Sequence, residues 1–124
     1  MATSDVLLSK TFIASGNGLS AALDQFIFVK MGTNKKVLPA GAGERTIGIA
    51  QGTAINAQGL DVGSVGFSKL RLAGTVSANQ YLKPDTNGEG VRHLGDTPGA
   101  ALACEDGVDD DVILVLITNF GPAT

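Results

Sequence analysis

The chain has 124 residues, of which 44% are hydrophobic and 17% charged, and its formal net charge is −3. This length and composition predict one globular domain and exclude a disordered chain. The acidic balance, the scattered positions of the nine basic residues and the absence of tryptophan exclude a surface that grips nucleic-acid phosphates or stacks bases.

The cysteine content and the apolar runs of the sequence indicate the kind of cellular compartment in which the protein is made. Cys104 is the only cysteine, so the fold does not depend on an internal disulfide or on an oxidising compartment. The first twelve residues lack the basic start and long apolar run of a secretory signal, so we expect synthesis in a cytosol. The longest apolar run, VILVLI at 112–117, is far shorter than the ~20 residues of a membrane-spanning helix, and we expect no membrane partner.

The N-terminal segment differs from the rest of the chain. Residues 1–22 are rich in Ser, Thr, Ala and Gly, and VLL and FI are their only apolar anchors. Such a composition predicts an N-terminal arm that becomes ordered on binding, followed by a β-barrel domain at 23–124. The stretch GLSAALDQ at 18–25 is the single candidate for a short helix.

Short strands bounded by turn residues follow. QFIFVKM at 25–31 is apolar on both faces, which predicts a strand covered on both sides. KVL at 36–38 and RTIGIAQ at 45–51 are the next predicted strands. Within the latter, Gly48 separates two isoleucines and indicates a bulge or a close approach of another backbone.

The stretch GFSKLRLAGTVSA at 66–78 alternates with a period of two. This pattern predicts a strand with one face toward the core and the other toward solvent. The inward set is Ser68, Leu70 and Leu72, and the outward set is Phe67, Lys69 and Arg71.

The C-terminal half is predicted to form two pairs of strands. QYLKPD at 80–85 is a short strand, TNGEG at 86–90 carries the Asn-Gly signal of a hairpin turn, and VRHL returns. GAALACED at 99–106 and DVILVLITN at 111–119 form the last pair, joined by the acidic loop EDGVDDD. Because the last strand is apolar on both faces, we place it in the centre of the sheet.

The glycine-rich stretch LPAGAGERTIGIAQG at 38–52 does not have phosphate-loop spacing. Its glycines at 41, 43, 48 and 52 fit neither G-x-G-x-x-G nor G-x-x-x-x-G-K-[ST], and no helix begins there. We therefore predict tight turns that use backbone conformations open to glycine.

Two acidic stretches could hold a cation, and each has a simpler interpretation. DTNGEG at 85–90 resembles the start of a calcium loop but lacks the glutamate twelve positions along, which favours a hairpin turn. Asp109, Asp110 and Asp111 could bind a divalent cation at a subunit junction, or could form a solvated loop that protects a strand edge. We predict no metal site and no cofactor.

The sequence shows no catalytic constellation. His93 is the sole histidine, has no acid or nucleophile beside it, and is expected at a surface or interface. Cys104 lies in an alternating strand next to acidic residues, which predicts a small buried thiol and not an activated thiolate. We predict that the protein is not an enzyme and has no small-molecule substrate.

The order of motifs resembles a known family. VLPAGAGERTIGIAQG, LRLAGTV, YLKPDTNGEGVR and ALACEDGVDDDVILVLI follow one another over about residues 24–118. This succession resembles the small capsid decoration proteins of tailed bacteriophages, a family often called DUF2190 or capsid cement. The order and spacing of the segments carry the resemblance, because no single segment is specific.

The resemblance implies a fold, a place and a partner. The fold would be a compact β-barrel or β-tulip-like domain. The protein would be made in the bacterial cytoplasm and would lie on the outer surface of the mature head in the virion. The partner would be the major capsid protein, contacted by a homotrimer that stabilises the capsid lattice. The part of the chain outside the matched residues is not covered by this expectation.

For the capsid contact we predict strand addition by the N-terminal arm. Its apolar anchors are Val6, Leu7, Leu8, Phe12 and Ile13. The alternative is that this segment covers the open end of its own barrel. Two other functions stay open: a head-fibre base or host-surface-binding virion protein, and a small β-barrel hydrolase that would need His93 or Cys104 in a catalytic group.

Overall fold

The computed structural model describes residues 5–15, 25–54, 57–94 and 99–118. In these residues the chain forms nine β-strands, which pair into one sheet, and a 3-10 turn at Thr33–Lys35. The all-β prediction is confirmed, and the helix candidate at 18–25 lies outside the described residues except for Gln25. The strands are β1 Asp5–Ala14, β2 Phe28–Met31, β3 Lys36–Pro39, β4 Gly48–Ala50, β5 Gly59–Arg71, β6 Tyr81–Pro84, β7 Gly90–Arg92, β8 Ala101–Ala103 and β9 Val112–Ile117.

Five strands close into a first ring. Going round it, β1 pairs with β3, β3 with β2, β2 with β4, β4 with the first half of β5, and β5 with β1 again. All of these pairings are antiparallel except that of β1 with β3, which joins Ile13 to Lys36 and Ala14 to Val37. Closure removes most free strand edges, which would otherwise pair with other chains.

The second half of β5 begins a second ring. It pairs with β9, and β8, β6 and β7 follow in that order. A parallel bridge between Leu72 and Gly90 joins β7 to the residues that continue β5. The last strand, β9, lies between β5 and β8, so its predicted central position is confirmed.

Strands β2 and β4 contribute to two separate cores. Phe28 and Ile49 belong to the core of the second ring, whereas Val29 and Ala50 belong to the core of the first ring. These four side chains are fully buried. The alternation of a strand places consecutive side chains on opposite faces, so each strand acts as a wall between the cores. The prediction that QFIFVKM is covered on both sides is confirmed for Phe28 and Val29.

Strand β5 begins earlier than its predicted range of 66–78. Ser68, Leu70 and Leu72 are buried as the alternation predicts, but the strand already starts at Gly59. Two glycines, Gly59 and Gly63, lie in this first part and weaken the strand signal in the sequence. Pairing with β1 and β4 fixes its conformation instead.

The described part of the N-terminal segment is a strand of the first ring. β1 pairs with β5 from Asp5–Phe67 to Ile13–Gly59, with register shifts on both sides of Leu8. Its last residue, Ala14, is fully buried in the core of the first ring. This arrangement is the one expected if the segment docks on its own barrel.

Candidate functional site

The glycine-rich stretch forms a turn that is closed by a carboxylate. Glu44 accepts hydrogen bonds from Lys30 Nζ at 2.7 and 2.8 Å and from the Gly41 N–H at 2.5 Å. Gly43 has a φ of 67° and donates its N–H to the carbonyl of Pro84 at 3.0 Å. The stretch therefore serves as a turn, as predicted, and its hydrogen bond to Pro84 of β6 links it to the second ring.

The same contacts lower the pKa of Glu44. The hydrogen bond from Lys30 is the main cause, and the Gly41 N–H and the charge of Lys30 add to it. A carboxylate with a folded-state pKa below its unfolded value stabilises the protein above the unfolded pKa, and this contribution is lost as the pH falls through the folded pKa.

We expect Glu44→Gln to destabilise the protein modestly at neutral pH, by about 0.5–1 kcal/mol, because the ion pair is partly exposed to solvent. Denaturant titrations of both proteins from neutral to acidic pH measure the effect. The difference in the free energy of unfolding should shrink as the pH falls below 4.5, the ordinary pKa of a glutamate carboxyl, and should not grow at acidic pH. A difference that is independent of pH would show that the carboxylate charge does not stabilise this turn.

The second predicted turn is a hairpin held by Asp85. Its carboxylate Oδ1 accepts the N–H groups of Asn87 at 2.8 Å and Glu89 at 2.9 Å. Gly88, with a φ of 83°, accepts the N–H of Phe28 at 2.8 Å, so the hairpin tip packs on β2. The hairpin interpretation of DTNGEG is confirmed.

Burial raises the pKa of Glu89, and the charges of Asp85 and Asp110 raise it further. The positive charge of Arg71 acts in the opposite direction. The end of the second ring near this hairpin is therefore a region of crowded negative charge.

The acidic loop, Glu105–Asp111, uses three of its carboxylates to bind backbone N–H groups. Glu105 accepts from Leu114 at 2.8 Å, Asp106 from Ala78 at 2.8 Å and Asp111 from Val108 at 2.9 Å. The other two, Asp109 and Asp110, are exposed. Among the described residues no three His, Cys, Asp or Glu side chains form a group that could hold a metal ion. This geometry fits the solvated-loop interpretation.

The burial of His93 and of Cys104 differs from what the sequence predicts. His93 is buried, with 8% exposure, because it follows β7 and its N–H donates to the carbonyl of Tyr81 within the sheet. Cys104 is exposed, because it lies one residue beyond β8. Partial burial and the charge of Glu105 raise the pKa of the Cys104 thiol, which is the opposite of the shift that activates a thiolate.

A polar groove lies beside the start of β5. Gln51, Gly52, Thr53, Gly59, Leu60 and Asp61 line it. Its single carboxylate, Asp61, accepts a hydrogen bond from Thr11 Oγ1 at 2.5 Å. Asp61 is the one titratable side chain among the described residues that line the groove. No helix in the described ranges is long and apolar enough to cross a membrane.

The predicted capsid-binding residues lie on β1. Leu7, Leu8 and Ile13 are exposed by 79%, 59% and 43%, whereas Phe12 packs partly against the core of the first ring and Val6 is half-buried. Within the part of the chain that the structure describes, one edge of β1 pairs with β5 and the other meets β3 only at its last two residues. Among the described residues, the second edge therefore has no strand partner between Val6 and Phe12. The capsid-binding role of these residues stays a prediction.

A second apolar feature lies outside the second ring. Phe67 pairs with Leu116, Leu116 with Leu102, and Leu102 with Tyr81, so these four residues form one row across four strands. We call this set the outer row. Their strand neighbours Ser68, Val115, Ala101 and Leu82 are buried, so the outer row lies on the face away from the core. The outward position of Phe67 was predicted, but the row was not, because it depends on register between distant strands.

The described residues thus define an all-β domain of two rings, with apolar side chains on the outer side of β1 and outside the second ring. No family model and no curated protein matches the sequence. Among solved structures, the chain is similar to the N base of head fibre gp8.5 of bacteriophage phi29. The TM-score is 0.72 at 9% identity, over 90% of this chain and 96% of that chain. At this identity the similarity shows the fold.

Proposed function

We propose that this chain is a structural protein of a bacteriophage virion, with the role of a head-fibre base domain. The similarity to the phi29 head-fibre base carries the proposal, because it spans nearly all of both chains. The motif order resembles that of capsid decoration proteins, which agrees with a virion role, but no family model matches the chain. The head-fibre role takes precedence over decoration because the fold similarity favours it.

In this proposal the domain attaches to the outer surface of the head through β1 and has no catalytic role. The free edge between Val6 and Phe12 offers backbone groups to an extended segment of the major capsid protein. Leu7 and Leu8 project beside this edge and would be buried by such a partner. The domain would assemble as a homotrimer, so several copies would bind at once and add avidity if their spacing matches the shell.

Decoration of the head is the second candidate function. A protein that binds only the mature shell stabilises it by RT ln(1 + [L]/Kd), about 2.7 kcal/mol per site at a hundredfold excess over Kd. Both functions need the same attachment, and they differ in what the attached domain carries. The position and number of copies on the head separate them.

Cryo-electron microscopy of mature heads that lack this protein, before and after its addition, tests the proposal. We expect added density on the outside of the head. Density at few sites, continuous with a projecting fibre in the native virion, supports the fibre base. Density at every equivalent junction, with no fibre, supports decoration. Absence of density on matched heads contradicts both.

A double variant, Leu7→Asp with Leu8→Asp, tests the β1 contact. We expect binding to heads to weaken at least about tenfold, because burial of one leucine contributes about 1.5–3 kcal/mol. The matched control is Val108→Asp, which adds a charge at an apolar side chain of similar exposure, 55%, in the acidic loop. Sedimentation of heads with labelled protein measures the binding. Equal loss in the control, or none in the double variant, contradicts the role of β1.

A further inference from the structure

The free edge of β1 offers backbone groups to a further strand. One edge of β1 pairs with β5 from Asp5 to Ile13, and the other reaches β3 only at Ile13 and Ala14. In the described part of the chain, residues 6–12 make no backbone hydrogen bond outside the ladder with β5. Because alternate residues of a strand direct their N–H and C=O groups to each edge, this edge can hold one more extended segment.

One cation lies along this edge. Lys10 is opposite Val62 of β5, which is buried in the core of the first ring. Phe12, two positions along, packs against the same core. Because alternate side chains of a strand share a face, Lys10 also lies on the core side of β1. Its side chain is nevertheless exposed, with Nζ 6.0 Å from the centroid of the Phe12 ring. The strand β3 does not reach this part of β1, so the ammonium group lies beside an open edge.

No carboxylate within the described ranges forms an ion pair with Lys10. The one ion pair in these ranges joins Lys30 to Glu44. Asp61 of β5 lies opposite Thr11 and accepts the hydrogen bond of its hydroxyl. Since Thr11 is adjacent to Lys10 in the strand, this carboxylate lies on the opposite face. A charged side chain on the inward face of an edge strand prevents pairing with arbitrary chains, and lysine is common at such edges.

Apolar side chains precede this lysine. Leu7 and Leu8 are exposed, and Val65, which lies opposite Leu8 on β5, is exposed by 45%. Register shifts on both sides of Leu8 increase the local twist of the strand. A segment added along β1 therefore meets apolar side chains at one end and a positive charge a few positions later.

We propose that Lys10 selects the segment that binds to β1, and that this segment is an acidic, extended part of the major capsid protein. A carboxylate opposite Lys10 pairs with its ammonium group, and apolar residues of the same segment cover Leu7 and Leu8. Opposite charges at facing positions of neighbouring strands stabilise the pairing, and like charges there destabilise it. The charge therefore disfavours basic segments and fixes the register of the added strand.

This inference rests on the proposed attachment through β1 and specifies the chemistry of the partner. Sedimentation of labelled protein with mature heads that lack it measures the binding. Lys10→Glu should weaken binding at least about fivefold, whereas Lys10→Arg should preserve it. The matched control is Lys35→Glu, which makes the same change of charge at another exposed lysine, in the turn between β2 and β3 of the first ring. A general attraction between protein and head would affect both glutamate variants equally.

The outcomes separate the role of Lys10 from the attachment itself. Circular dichroism confirms that each variant is folded. Wild-type binding by Lys10→Glu, or an equal loss in Lys35→Glu, overturns the role of Lys10 and leaves the attachment intact. A wild-type protein that does not bind the heads overturns the attachment, and this inference with it.

Cross-linking identifies the segment that occupies the edge. Cys104 is the only cysteine, so Ser9→Cys combined with Cys104→Ser gives one thiol next to Lys10 for a benzophenone maleimide. We expect an adduct with a capsid-protein segment that contains Asp or Glu. Replacement of that acidic residue by lysine in the capsid protein should then restore head binding by Lys10→Glu. An adduct with a second copy of this chain, or with a capsid segment that lacks Asp and Glu, overturns the proposal.

Discussion

Replacement of Gly48 by alanine is expected to destabilise the protein by more than about 3 kcal/mol, enough to unfold a large fraction of a marginally stable domain. A Cβ at this position would overlap the carbonyl oxygen of Gly63 and would lie 2.9 Å from Cγ1 of Val62. The φ of Gly48 is 156°. The obstacle is backbone of the neighbouring strand, so it cannot turn aside as a flexible side chain would.

Relief of this overlap would require β4 to move away from β5. Ile49 pairs with Gly63 and Ala50 with Val62, so such a movement breaks the pairing that closes the first ring. Gly52→Ala is the matched control, because a Cβ there would meet no atom within 4 Å. We expect the control to change stability by no more than about 0.5 kcal/mol in either direction. Denaturant titration of both variants measures the difference, and equal stabilities would show that β4 and β5 are not packed this closely.

Local sequence signals identified the parts of the fold that neighbouring residues determine. Gly48 indicated a close backbone approach, and the structure places it against Gly63. The Asn-Gly signal identified the hairpin that Asp85 holds. In both cases the residue type itself allows a conformation or a distance that other residues do not.

The parts that were missed depend on partners far along the chain. Residues 5–14 carry no clean alternation, and their strand conformation comes from pairing with β5, about fifty residues later. The exposure of Cys104 and the burial of His93 depend on where β8 and β7 end, which a sequence pattern locates poorly. The candidate surfaces have the same origin, since the outer row exists only through the register of four strands.

The division of the buried side chains between two cores could not be predicted either. The sequence shows that QFIFVKM is apolar on both faces, but it does not show that the two faces contact different sets of strands. In the structure Phe28 packs with residues of β5, β6, β8 and β9, although β2 itself is hydrogen-bonded to β3 and β4 of the first ring. The side chain of Phe28 therefore couples the two rings.

We expect Phe28→Ala to reduce the free energy of unfolding by about 3–5 kcal/mol. Removal of this fully buried side chain leaves a cavity between the two cores, and the surrounding strands can close it only in part. The control is Leu94→Ala, which removes apolar atoms from a side chain that is 69% exposed and should cost about 0.5 kcal/mol or less. Denaturant titration gives both values.

Amide hydrogen exchange of Phe28→Ala distinguishes coupling from local damage. If Phe28 joins the rings, protection should fall in β8 and β9 of the second ring as well as in β3 and β4 of the first. The N–H of Phe28 donates to Gly88 through the backbone, so the substitution leaves that link intact and isolates the side chain. Loss of protection confined to one ring would mean that Phe28 does not couple the rings and that the two rings unfold separately.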